Sequence, residues 1–224
     1  VKDSKGNPAV ITPLAILANP DFEAISANDK TEYVFESVEK TYKRHVWTEK
    51  SLELVKQGIE AGVYYPQFHA REHLHAKRWM HAISNPSEKE RIAFENQSVV
   101  ISRMASNSKR VNLDYFPVFD FDEYSEMEQL KENMTEGLQM FEQLFGYKSV
   151  SFCPPCGIIH NDLFETAAIN GVMGIQSGQH FIPQGKGIPV KRVDYFWGSK
   201  TAYNQIYWRR NCTFEPAKNH NKDW

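Results

Sequence analysis

What most constrains this chain is an alternation. Short, nearly continuous apolar runs end in turn residues and are followed by segments with helical periodicity. A run that is apolar at every position suits a strand buried on both faces, as in a parallel sheet. Residues 9–18 form such a run, closed by Asn19-Pro20-Asp21. Residues 63–68 form a second. The helix before it has Thr48 as its cap, runs through Ser51, Leu52, Leu54, Val55 and Ile59, and stops at Gly62. Residues 148–152, 171–175, 190–197 and 205–208 continue the strand series. Pro86-Ser87-Glu88 opens a charged helix, and residues 99–104 read as a short strand or a helical continuation.

From Ser125 to Phe145, Met127, Leu130, Met134, Leu138, Phe141 and Leu144 recur at helical spacing, and Gly146 ends them. That stripe predicts a helix packed on a core. Asn161 or Asp162 caps a helix over 162–170, while the Gly/Pro-rich stretch 178–189, with His180, reads as a loop. Strand–helix–strand alternation on this scale predicts an α/β fold, in which sites gather at the carboxyl ends of the strands.

With 224 residues and 41% hydrophobic content, the chain can bury one sizeable core, so a single domain spanning 1–224 is expected. Its 26 basic and 28 acidic side chains are interspersed and leave a formal charge of −2, which gives no footprint for nucleic acid or a membrane surface. No run approaches the ~18 apolar residues of a membrane span. Three cysteines do not suggest a disulfide framework, so a reducing, cytoplasmic compartment is preferred. No leader with a basic start and an apolar stretch opens the chain, which begins with Val1. The expectation is of a fragment whose N-terminus, and any secretion signal, lies upstream.

The richest chemistry is in residues 63–81. The apolar run ends at His69, and His73 and His75 follow on what reads as a helical segment. H-x-x-x-H across a strand–helix junction can bring two neutral imidazoles onto one zinc-class metal, although two histidines do not complete a three-ligand site. The bland alternative is two ordinary surface histidines. His75 and His81 read as surface residues, or as partners that orient a neighbouring ring. His69-Ala70-Arg71-Glu72-His73 also fits H-x-x-E-H, the inverted zinc-peptidase pattern, with Glu72 as base. That pattern needs one continuous helix, which Pro66 and the β-prone residues before His69 oppose. Cys153-Pro154-Pro155-Cys156 invites a thiol–disulfide reading. Against it, the next helix starts too late to lower the pKa of Cys153. A rigid loop with incidental thiols explains the motif as well.

Taken together, the two motifs resemble the polysaccharide deacetylases, the family with the NodB homology domain. His69 and His73 match that family's H-x-x-x-H metal motif. Ser151-Phe152-Cys153-Pro154-Pro155-Cys156-Gly157 looks like its groove motif, with cysteine where Arg and Tyr are usual. The wider texture, from Ile59-Glu60-Ala61-Gly62 to Thr213-Phe214-Glu215-Pro216, looks like a bacterial branch. The resemblance implies a distorted (β/α) barrel, incomplete at both ends, because neither an Asp-Asp pair before His69 nor a late catalytic His matches. Asp3, Asp21 and His220 are poor substitutes.

On that resemblance the activity is metal-dependent removal of acetyl groups from a carbohydrate. The metal, zinc or cobalt, would be held by His69, His73 and an Asp outside the chain, and the general base and acid also lie outside. The backbone N–H of Cys156 would serve the oxyanion. Pro154, Pro155, Cys156 and Trp197 are the substrate-binding candidates, with Trp79, Tyr195 and Phe196 as further rings for stacking on sugar. The competing expectation is a carbohydrate-binding relative that has lost catalysis. An open barrel would expose sheet edges, so the isolated chain is expected to be marginal or to self-associate.

Overall fold

The computed structural model describes residue 2 and residues 4–44, 46–100 and 115–209. Along them the chain forms β1 (Leu14–Ile16), β2 (Ala18–Pro20), α1 (Phe22–Ala27), β3 (Phe35–Ser37), α2 (Val38–Lys43), α3 (Ser51–Glu60), β4 (Gln67–Ala70), α4 (Ala76–Ser84) and α5 (Glu88–Glu95). There follow α6 (Met127–Phe145), β5 (Ser151–Phe152), α7 (Leu163–Ile169), β6 (Gly174–Gln176), β7 (Gln179–Ile182), β8 (Lys191–Asp194) and β9 (Ile206–Trp208).

Five strands make one sheet in the order β1-β4-β5-β6-β9, and every pairing is parallel. The α/β expectation is met. Each new strand adds on the same side as the last, without the reversal that defines a doubly wound sheet. The first three crossovers carry helices, but β6 reaches β9 through the antiparallel hairpin β7–β8. Closure into a barrel is not seen among the described residues, where β1 and β9 are the sheet's two ends.

Side chains alternate between the faces of a strand. One row of register partners, Ala15, Phe68, Phe152, Ile175 and Tyr207, therefore shares a face. That row belongs to the main core with the buried stripe of α6, namely Met127, Leu130, Met134, Leu138, Phe141 and Leu144. Burying a side chain of this size contributes about 1.5–3 kcal/mol. Gly146, at φ 79°, ends α6 in the left-handed conformation as its sequence position predicts. The opposite face is more polar and carries Gln67, His69, Ser151 and Gln176, with Ile206 and Trp208 toward the β9 end. A second cluster, Ile25, Leu74, Trp79, Ile83 and Tyr115, packs under α1 and α4. Among the described residues no helix is long and apolar enough to cross a membrane.

Several local expectations need correction. The run 9–18 is not one buried strand. Val10 and Ile11 are exposed, and the chain changes partner at Leu17, whose N–H reaches the Arg71 carbonyl (2.9 Å) while its own carbonyl takes the N–H of Val38 (2.8 Å). The second strand starts later than read and contains His69. Residue 48 does not cap α3: Lys50 occupies that position without a side-chain bond, and the Thr48 hydroxyl donates to the Tyr42 carbonyl (2.7 Å). The loop read at 178–189 is in part β7, and His180 lies within that strand. The ambiguous stretch 99–104 extends past the described residues.

Candidate metal and substrate site

His69 sits near the carboxyl end of β4, where β5 ends beside it. The loop after β5 is tied to β4 twice. The Cys153 N–H reaches the Phe68 carbonyl (3.4 Å), and Nδ1 of His69 lies 2.6 Å from the Cys153 carbonyl. A carbonyl only accepts, so Nδ1 carries the proton and Nε2 keeps its lone pair. That is the arrangement of a ligating histidine whose other nitrogen is anchored. His73 lies in the turn between β4 and α4, not on a helix as read, and its ring centroid is 5.0 Å from that of His69. Phe116 meets the His73 ring edge-on at 5.4 Å. Nδ1 of His73 is buried and makes no hydrogen bond of good geometry among the described residues, with its own carbonyl and that of Phe116 the acceptors near the ring.

Burial pushes His69 down to about 4, with the Cys153 carbonyl pulling the other way. Burial also lowers His73, opposed by its own carbonyl and that of Phe116. Both rings are therefore neutral at neutral pH, the form in which imidazole binds metal. Among the described residues, however, no group of three His, Cys, Asp or Glu side chains is placed to hold an ion.

Neighbouring charges are already committed. Arg71 grips both oxygens of Glu72 (2.5 and 2.6 Å), bonds Glu136 through Nη1, and lays its guanidinium 4.3 Å from the ring centre of Phe35. Glu72 is 1% exposed. With both oxygens held by a guanidinium, it is badly placed to act as a base. His69 in a strand and His73 in a turn do not meet the single-helix requirement of H-x-x-E-H. His75 caps α4, with Nδ1 accepting from the Arg78 N–H (3.4 Å), and His81 is exposed in that helix's last turn.

The Cys153–Gly157 loop turns tightly. Cys156 adopts φ 56° and Gly157 φ 66°, and the Gly157 N–H donates to the Pro154 carbonyl (2.9 Å). A left-handed non-glycine residue is the kind of strain that surrounding structure must hold in place. Pro154 and Pro155 are buried and brace the loop, while Cys156 is half-buried. Burial raises the Cys156 thiol to about 11, so no reactive thiolate forms there at neutral pH. Of the rings considered for sugar stacking, Trp79 is buried at 2% and belongs to the second core. Tyr195 is packed against His180 and Tyr207, whereas Phe196 and Trp197 are exposed.

His180 is the group that sequence reading undervalued. It is fully buried, stacks on Tyr195, meets Phe164 edge-on, and has Nε2 3.0 Å from the Tyr195 hydroxyl. The signal was present in the alternation of residues 179–182, hidden by the surrounding glycines and prolines. Burial holds its pKa down at about 4. Between pH 6.5 and about 4 the unfolded chain therefore carries this proton and the folded chain does not. The contribution to stability is whole above pH 6.5, is lost as the pH falls to about 4, and is constant below that. Denaturation curves should show a slope of up to about 1.4 kcal/mol per pH unit from this group. His180→Phe should remove one proton from that slope. An unchanged slope would mean that the ring is not held neutral.

No protein-family model and no curated protein matches this chain.

Proposed function

We propose that the chain belongs to a metal-dependent hydrolase that removes acetyl groups from a carbohydrate, built on a (β/α) barrel of the NodB type. The observation that carries this reading is the meeting of two motifs 84 residues apart, through the bond from His69 Nδ1 to the Cys153 carbonyl. The sheet order supports the barrel, because a (β/α) barrel also grows by adding each strand on the same side. The donor chemistry fits a divalent metal such as zinc or cobalt. Among the described residues, His69 has Nδ1 anchored and no bond to Nε2, His73 has a buried Nδ1 with no hydrogen bond of good geometry, and both rings are neutral. A third ligand, on the family resemblance an Asp, would come from outside the described residues.

When bound, the metal would polarise an acyl carbonyl and ease ionisation of a water. The chain's own residues do the positioning. Cys153 fixes the ring of His69, and the buried Pro154 and Pro155 hold the Cys156 main chain, whose N–H is the donor proposed for the developing oxyanion. Trp197 offers an exposed ring to the sugar.

Zinc and cobalt titration of the chain beside His69→Ala and His73→Ala tests the site. We expect one ion per chain, with affinity lower by at least about tenfold in each variant. Affinity indifferent to both changes would refute the site. Acetate release from acetylated sugar oligomers then separates an enzyme from a carbohydrate-binding relative that binds without turnover.

A further inference from the structure

We propose a separate carbohydrate subsite on the turn Phe196–Ser199, which reads the carbon face of a sugar ring and not its acetyl group. The reading above supplies only the class of ligand. Phe196 and Trp197 are 85% and 74% exposed. They stand on a rigid base. The Ser199 N–H closes the turn onto the Phe196 carbonyl (3.0 Å), and Gly198 takes φ 82°, a conformation that suits glycine. The Gly198 N–H donates to the Tyr207 carbonyl (3.0 Å), and the Tyr207 N–H to the Ser199 carbonyl (2.8 Å). Just before the turn, Tyr195 stacks on Tyr207 with ring centres 3.7 Å apart and bonds His180 through its hydroxyl.

Exposed rings on a free loop could fold inward, but these are riveted to β9 from both sides. Flanking the turn in sequence are exposed groups suited to hydroxyls: the Arg192–Asp194 pair (2.9 Å) and Lys200. An apolar platform with a polar rim matches a sugar ring, which has a carbon face and a hydroxyl edge. The turn is bonded to Tyr207, which is level with Phe68 across the row Phe68, Phe152, Ile175 and Tyr207, so the turn and His69 lie toward the same end of the sheet. β9 is three strands from β4, or about 14 Å along the sheet at ~4.8 Å per strand. The platform is therefore remote from the reacting group and engages a different ring of the same glycan chain.

The test titrates the chain with glucose and with N-acetylglucosamine, each as monomer and as β-linked oligomers, following binding by calorimetry. Oligomers of both series should bind more tightly than monomers. Trp197→Ala should weaken oligomer binding by about tenfold, Trp197→Phe should retain most of it, and neither should change zinc affinity. Because Trp197 is exposed, the variants should unfold at the wild-type denaturant midpoint, which separates lost contact from lost fold. Oligomer affinity unchanged in Trp197→Ala, or no binding by either series, overturns the subsite. So does concentration-dependent self-association that Trp197→Ala abolishes, which would assign the rings to a protein contact. Failure of the deacetylase reading looks different: zinc affinity would ignore His69→Ala while glucose oligomers still bound through Trp197.

Discussion

Replacing Gln67 with leucine should destabilise the chain by at least about 3 kcal/mol, because each unmade buried hydrogen bond costs about 1–3 kcal/mol. Gln67 is 2% exposed and ties β4 to the start of β5. Its side-chain carbonyl accepts from the N–H groups of Val150 (3.0 Å) and Ser151 (2.7 Å) and from the hydroxyls of Ser149 (3.2 Å) and Ser151 (2.9 Å). Its amide donates to the Pro66 carbonyl (2.7 Å). Leucine fills the space but satisfies none of these groups. Urea denaturation should show a lower midpoint with an unchanged slope. A loss below about 1 kcal/mol would mean that water or a shifted serine replaces the amide.

Gly137→Ala gives the second large effect, and its sign is informative. In an exposed helix interior, glycine to alanine is worth about 1 kcal/mol of stabilisation. Here a Cβ would meet Arg71 Cβ at 2.9 Å, the Arg71 backbone nitrogen at 3.0 Å and the Phe68 ring at 3.0 Å. Backbone cannot swing aside as a flexible side chain can, so α6 must lift off β4. Overpacking of this kind costs about 1–3 kcal/mol, which outweighs the helix propensity. We expect a net loss for alanine and a larger one for valine. On the proposed function, zinc affinity would fall with stability, because Arg71 lies two residues before His73. A stabilised Gly137→Ala would show that helix and strand have room to separate.

The elements legible in the sequence were those whose pattern coincides with their packing. Helix α6 was readable because its buried stripe and terminal Gly146 carry the signal themselves. The strand at residues 9–18 was misread because apolar content does not show where a chain changes hydrogen-bond partner, as it does at Leu17. His69 and His73 could be singled out from spacing and resemblance. What oriented His69 could not, since the partner is a main-chain carbonyl that Cys153 contributes whatever its side chain. Glu72 illustrates the converse. Its place in a five-letter motif suggested a base, and only the geometry shows both its oxygens held by the adjacent Arg71.

The sheet's order has a consequence for how the molecule assembles. Because β1, β4, β5, β6 and β9 neighbour one another in the order in which they are synthesised, each strand can dock on an edge completed before it emerges. Nothing has to be threaded between strands already paired. The imidazole of His69 is made early but gains its orienting carbonyl only when Cys153 leaves the ribosome. At the ~5–20 residues per second of translation, that leaves a delay of several seconds. During this interval β4 has a bare edge and a freely turning histidine. The nascent chain is then most exposed to mispairing, and the orientation of this imidazole is fixed by the arrival of β5.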